Sequence, residues 1–318
     1  MKVAVIDLGT NTFNLLIAEI QNQEFKIILN KRESVKIGKG GIHQSIILPD
    51  AIERAMNALE NHFFQIKKEG VENIIALGTS ALRTASNAEE LIIKVKERFG
   101  ISISVISGER EAELIFHAVA MSMVNIRKPY LILDIGGGSN EFIVVEKGKM
   151  IWKNSFPLGM ARLNELFKFS NPIRLEEIAT LQTYFDEILT PLFKFIEQFP
   201  VDLLVGAEGA FESIYNNINL NKNDSFLTSS HLNAQEIAKD DFFEFYNIIL
   251  KSTSEDRLIM SGIEPYRVEM IVPAAIFINY IVEKLKISNI LVSWFSLKEG
   301  VIFEALKNNN SFVNNSKS

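Results

Sequence analysis

The chain has 318 residues, 47% hydrophobic and 23% charged, with no cysteine and a net charge of −6. That length suits about two domains with proper cores, and the composition excludes a disordered chain. The absence of cysteine excludes disulfides and thiolate metal sites, the acidic balance argues against a broad nucleic-acid surface, and no run approaches the roughly 18 apolar residues of a membrane span. A strand begins straight after Met1 and Lys2, with no basic segment leading into a signal-like core. A cytoplasmic protein that engages neither nucleic acid nor membrane is therefore expected.

In chain order, Val- and Ile-rich runs predict strands at 2–7, 13–20 and 24–31. A helix follows Pro49 and Asp50 to about Glu69, then a strand NIIALG (73–78), a helix from Asn87 to Phe99, a strand ISISVI (101–106) and a helix from Glu109 to Val124. Three strands followed by alternating helices and strands indicate an α/β lobe. The second half opens alike, with strands near 130–134, 140–146 and 149–157, and then turns helical at 160–169, 174–198, 235–251 and 267–286. Short strands DLLVG (202–206) and NILVS (289–293) interrupt those helices. The charged NIRKP segment, Asn125 to Pro129, divides a first lobe (1–125) from a second (126–306). A helix from about Ser296 is expected to cross back onto the first lobe, and the polar ending 307–318 to fray as a flexible tail.

The chemistry is concentrated in two similar segments. VAVIDLGTNTFNLLIAEI carries Asp7, Gly9, Thr10 and Asn11; LILDIGGGSNEFIVVEKGK carries Asp134, Gly136, Gly137, Gly138, Ser139 and Glu141. Each reads as an apolar strand, an acid, a Gly-bearing turn and a second apolar strand. A strand-end aspartate suits a metal ion, and a small turn lets backbone N–H groups approach phosphate oxygens. A turn aspartate accepting its own N–H groups is the bland reading of one copy. Two copies favour a phosphate and metal site between two lobes.

Three further stretches carry charge. SGEREAELIFHAV places Glu109, Glu111 and Glu113 in the opening turns of a helix, where acids often serve only as dipole partners. Successive helical residues point in different directions, so one carboxylate is expected to face the site and the others to be solvated; spacing does not say which. Arg83 in GTSALRTA is either a phosphate clamp or a solvated surface arginine. Lys31, Arg32, Lys36 and Lys39 in KRESVKIGKGG either steer an anionic chain by their field or form a solvated face. The histidines (His43, His62, His117, His231) show no metal-ligand spacing, and no GxxxxGK[ST] loop occurs.

Together, AVIDLGTNTFNLLIAE, GTSALRTASN, ISGEREAELIFHAV and ILDIGGGSNEFIVVEKGK resemble the exopolyphosphatase/guanosine pentaphosphate phosphatase (Ppx/GppA) family of the actin-like ATPase superfamily. PYRVEMIVPAAIFI (265–278) is similar to that family's Arg-containing helix start, which supplies Arg267. The resemblance extends over nearly the whole chain. It implies an α/β fold of two duplicated ribonuclease H-like (actin-like ATPase) lobes with an interdomain cleft. The implied activity is hydrolysis of terminal phosphoanhydrides, in inorganic polyphosphate or guanosine pentaphosphate, dependent on Mg²⁺ or another divalent cation.

By the same resemblance Glu111 is the catalytic carboxylate, and Asp7, Asp134 and Glu141 serve the metal. Gly9, Thr10, Asn11, Arg83, Gly136, Gly137, Gly138 and Ser139 bind phosphate, and Lys36, Lys39 and Arg267 steer substrate. Some positions depart from the family pattern. Arg110 stands where the first glutamate of a pair is usual, Glu113 replaces a later arginine, Lys36 replaces an arginine and so lacks its bidentate fork, and Glu208 in GAEGAF replaces a neutral residue. By the resemblance, the short form, without the extra C-terminal helical domain of longer members, is expected. Helical faces in the second lobe leave a homodimer open. The alternatives are an ATP-dependent kinase or ATPase, with an adenosine pocket beside GAEGAF, and a non-catalytic sensor of polyphosphate or (p)ppGpp.

Overall fold

In the computed structural model the described residues are all but 22–23, 124–125, 127, 222–233 and 316–318. The chain forms two compact units, Met1–Ala118 with Ser296–Ser318, and Val119–Phe295. The boundary expected at Asn125 to Pro129 falls partly outside the described residues, as does the end of the expected tail at 307–318.

The first unit begins with an antiparallel meander: β1 (Lys2–Leu8), β2 (Thr12–Gln21) and β3 (Glu24–Ser34). Then come α1 (Pro49–Lys68), β4 (Asn73–Gly78), α2 (Ser80–Thr84), α3 (Ala88–Phe99), β5 (Ile103–Val105) and α4 (Gly108–Ser122). The sheet order is β3-β2-β1-β4-β5, with β4 parallel to β1 and β5 parallel to β4. The apolar run of β1 suits a central strand, and its Val3 to Ile6 are fully enclosed. Helix α1 buries Ala51, Ile52, Ala55, Ala58, Leu59 and Ile66, a stripe at helical spacing. The chain's last helix, Leu297–Asn315, packs on β1 and β2. Strand β5 is shorter than its apolar run because only Ile103 to Val105 pair with β4.

The second unit contains β6 (Tyr130–Ile135), β7 (Asn140–Glu146), β8 (Lys149–Phe156), α5 (Met160–Phe167), α6 (Leu175–Ile188), α7 (Thr190–Gln198), β9 (Leu203–Ala207), α8 (Gly209–Asn221), β10 (Gln235–Ile237), α9 (Lys239–Lys251), α10 (Ser254–Ile259), α11 (Ile271–Lys284) and β11 (Asn289–Ser293). Its sheet runs β10-β11-β9-β6-β7-β8. Read from β8, the order β8-β7-β6-β9-β11 repeats that of the first unit with the same strand senses, and β10 is added antiparallel at the far edge. The α/β fold is thus two duplicated ribonuclease H-like lobes. Phe277 anchors the second core, its ring edge-on to Phe185 at 4.8 Å and to Phe142 at 5.9 Å.

The helical expectations need three corrections. The stretch 174–198 is two helices, because Leu189 leaves helical geometry and Pro191 opens the second. The stretch 235–251 starts as β10, which pairs with β11 before α9 begins. The stretch at 267–286 opens with a 3₁₀ turn, Pro265–Arg267, and becomes α-helical only at Ile271. Among the described residues, no helix is long and apolar enough to cross a membrane.

Candidate active site

The two Gly-bearing loops close in the same way. Gly9 N–H donates to Thr12 O at 3.1 Å, and Gly136 N–H donates to Ser139 O at 3.1 Å. A Cβ on Gly9 would lie 2.8 Å from that carbonyl, and one on Gly136 2.6 Å. Close approach therefore demands glycine here, independently of φ. Register places Asp7 opposite Asn14 and Asp134 opposite Glu141, so the two lobes present equivalent residue pairs.

In the first unit, Asn14 Nδ2 donates to Asp7 Oδ2 at 2.8 Å, and Arg32 Nε donates to Asn14 Oδ1 at 3.1 Å. One amide thus couples a cation on β3 to the acid on β1. The loop carbonyls are also held. Asn11 O accepts from the N–H groups of Val35 and Lys36 at 2.9 and 2.8 Å, and Thr10 O from that of Gly38 at 3.2 Å. Arg54 supports this segment, donating from Nε to Val35 O at 2.8 Å and from Nη2 to Lys36 O at 3.1 Å. Among the described residues, Thr10 Oγ1 is buried with no hydrogen-bond partner. Lys36 is half-buried with φ 49°, so its backbone serves the loop, whereas Lys39 is exposed.

Helix α4 settles which glutamate turns inward. Glu111 is 8% exposed and heads a stripe continued by Ile115 and Ala118, while Glu109 is exposed. Arg83, on α2, donates from Nη1 to Glu111 Oε2 at 2.9 Å and to Ile106 O at 3.0 Å. Thr79 is the residue before α2, and its backbone carbonyl accepts from Arg83 N–H at 2.8 Å. The carboxylate is held in one orientation by a fixed guanidinium.

In the second unit Glu141 is 2% exposed, and its Oε1 accepts from Ser139 Oγ at 2.8 Å and from Ser155 Oγ at 2.7 Å. Ser155 faces Glu141 in register from β8, as Arg32 faces Asn14 from β3. Two carboxylates opposed on neighbouring strands repel unless a cation lies near them. Among the described residues no group of three or more His, Cys, Asp or Glu could form a metal cage. Mg²⁺ seldom uses such cages; it takes one or two carboxylates together with water and phosphate oxygen. The donors here are carboxylate oxygens, which fit a hard divalent cation.

The model of the Ppx/GppA phosphatase family matches residues 16–309. The chain belongs to that family. A crystal structure of an exopolyphosphatase from Cytophaga hutchinsonii superposes with a TM-score of 0.93 and 35% identity, covering 97% of this chain and 98% of that one. Exopolyphosphatase 2 of Mycobacterium tuberculosis is 24% identical over 94% of this chain and 97% of its own length. A guanosine-5′-triphosphate,3′-diphosphate pyrophosphatase of Pseudoalteromonas atlantica is 25% identical over 96% of this chain, which spans 58% of that protein.

The departures of this Ppx/GppA phosphatase have local explanations. Arg110 turns to the last helix, where Glu304 takes both its Nη groups and Glu113 accepts at 3.2 Å. Hydrogen bonding to Glu304 raises its pKa further. Glu113 is therefore an ion-pair partner of Arg110. His117 lies beside Phe303 at 5.6 Å between ring centroids, and burial lowers its pKa. Glu208 adopts φ 45°, and its N–H donates to Ser293 O at 2.8 Å. Beside it the Phe211 ring lies against Gly206, 1.9 Å from where a Cβ would stand. Arg267 pairs through Nε with Glu264 at 3.2 Å and lies over the Tyr266 ring. His231 is outside the described residues.

Sequence reasoning missed Asn14 and Ser155 and read Arg32 only as part of a basic run. A signal was present: aligning the two copies puts Asn14 at the position of Glu141.

Proposed function

We propose that this phosphatase releases terminal phosphate from phosphoanhydrides, as an exopolyphosphatase acting on inorganic polyphosphate, on the 5′ end of pppGpp, or on both. The observation that carries the reading is the buried Glu111 carboxylate held by Arg83 at the head of α4. The names of the relatives support it. Glu111 orients the attacking water and takes its proton; the water oxygen bonds to the terminal phosphorus as the bridging P–O bond breaks. Arg83 offers positive charge to the phosphoryl oxygens as well as fixing Glu111. Gly9 and Gly136 close their turns with their own N–H groups, and the N–H groups that follow (Thr10 and Asn11, and Gly137 to Ser139) hold phosphate oxygens. The orphaned Thr10 hydroxyl suits the same ligand.

Asp7, Asp134 and Glu141 are the carboxylates assigned to a divalent cation, Mg²⁺ by preference. When bound, such a cation neutralises phosphate charge. Lys36, Lys39 and Arg267 are assigned to steering, and Arg267 is ion-paired with Glu264. Glu208 in GAEGAF and the SGEREAE segment speak against the ATP-dependent reading.

The test is orthophosphate release with Mg²⁺ from long-chain polyphosphate, pppGpp and ATP, with Glu111→Ala as the blank. Release from either of the first two, lost in the variant, is expected. No release from any, with thermal stabilisation by the same compounds, would replace this reading with the sensor.

A further inference from the structure

The second loop is held from behind by a helix. Met160 N–H donates to Gly136 O at 2.9 Å, Ala161 N–H to Gly137 O at 2.9 Å, and Arg162 N–H to the same oxygen at 3.2 Å. Arg162 Nε then donates to Gly138 O at 3.2 Å. Three consecutive loop carbonyls thus face the first turn of α5. The approach is tight enough that a Cβ on Gly159 would stand 2.3 Å from Gly137 C and Gly138 N.

This arrangement has an electrostatic consequence. In a planar trans peptide the N–H points opposite to the C=O of the preceding residue. With the carbonyls of Gly136, Gly137 and Gly138 turned to α5, the N–H groups of Gly137, Gly138 and Ser139 point the other way. The first N–H groups of a helix have no partner within it and form the positive end of its dipole. Here they are spent on loop carbonyls. A peptide whose carbonyl accepts a strong hydrogen bond is a stronger donor at its own N–H. The field of α5 is therefore relayed through the loop to whatever those N–H groups bind.

We infer that Arg162 is a positioning residue of the phosphate site: with the first turn of α5, it orients and polarises the loop peptides that bind an anionic phosphate chain. Its guanidinium is the charged donor of the set and serves the peptide between Gly138 and Ser139, which no backbone N–H of α5 reaches. Burial opposes that charge and lowers its pKa, and Tyr184 and Glu165 partly offset the effect. The inference rests on the phosphate role proposed for this loop, not on hydrolysis.

The test is tripolyphosphate binding by calorimetry to the full chain with Mg²⁺, comparing wild type with Arg162→Gln, Arg162→Lys and Lys168→Gln. Lys168→Gln removes one positive charge at the end of the same helix. Binding to Arg162→Gln is expected to weaken about tenfold or more, the worth of one charge-assisted hydrogen bond. Arg162→Lys should fall between it and wild type, and Lys168→Gln should stay within about twofold of wild type. If phosphate release is measurable, kcat should fall more than KM rises, because the loop donors meet charge that grows in the transition state.

Wild-type affinity in a folded Arg162→Gln would overturn the inference, as would equal losses in Arg162→Gln and Lys168→Gln. Should Arg162→Gln fail to fold, wild-type affinity in Arg162→Lys would overturn it. Because binding is the readout, a chain that binds but releases no phosphate defeats the hydrolase reading and leaves this inference standing. A wild type that does not bind tripolyphosphate defeats both.

Discussion

Glu111→Gln separates the chemistry of the carboxylate from its structural part. The wild-type pair is 2.9 Å apart, with side chains 23% (Arg83) and 11% (Glu111) exposed. Glutamine keeps an oxygen for Arg83 but has no charge and takes no proton from water. A positioned base contributes about 10²–10⁴-fold, so the barrier should rise by roughly 3–5 kcal/mol. The stability cost should be smaller. The Coulomb attraction of such a pair is on the order of 4 kcal/mol at an effective dielectric of about 20, but the variant keeps a hydrogen bond and no longer desolvates a carboxylate. A net loss of about 1–2 kcal/mol is expected, a fall in Tm of roughly 1.5–3 °C for a protein of this size. Single-turnover phosphate release with Mg²⁺ and a thermal melt on the same sample check both numbers. Wild-type turnover in the folded variant would refute the reasoning. So would a stability loss large enough to account for the lost rate.

Three further outcomes follow from the geometry. Burial, the main cause, holds the His62 pKa below its ordinary 6.5, against the Phe13 carbonyl and Glu33; the unfolded chain then binds that proton more readily, so His62 contributes fully above about pH 6.5 and its contribution is lost as pH falls through the depressed value. Tm measured between about pH 7.5 and 5 should fall, and His62→Gln should flatten that slope; an unaltered slope would sink the assignment. Gly136→Ala forces a Cβ to 2.6 Å from Ser139 O, so a loss of roughly 1–3 kcal/mol in a denaturant titration is expected together with loss of tripolyphosphate binding. Arg110→Glu, which installs the acid expected from the family pattern, places a third carboxylate beside Glu113 and Glu304 and should lower Tm by a few degrees with kcat unchanged; a rate gain near tenfold would show that an acid at this position belongs to the chemistry.

The two strand–turn–strand copies were legible because a strand-end acid and a tight glycine turn are local features. The duplicated sheets followed from them. Arg83 was ambiguous because α2 is only five residues long, too short for periodicity to reveal what its side chain faces. The choice of Glu111 was closer to reach: it shares one helical stripe with Ile115 and Ala118, whereas Glu109 and Glu113 do not. Asn14 had no chemistry of its own to draw attention, and only strand register sets it against Asp7. Residues 174–198 read as one helix because apolar periodicity persists across Leu189, although Pro191 marks a new start. The three residues of β10 carry too little alternation to be distinguished from the helix that follows.

The two copies differ in how each holds its strand-end acids. On three adjacent strands the first unit aligns Asp7, Asn14 and Arg32, and the second aligns Asp134, Glu141 and Ser155. In the first, an amide carries the influence of a guanidinium to the acid, so part of the counter-charge belongs to the protein. In the second, a nearly enclosed glutamate is held by two hydroxyls, which fix its orientation without adding positive charge. The acids of the two copies are therefore oriented by different chemistry: Asp7 through an amide backed by Arg32, and Glu141, on the strand beside Asp134, through the Ser139 and Ser155 hydroxyls.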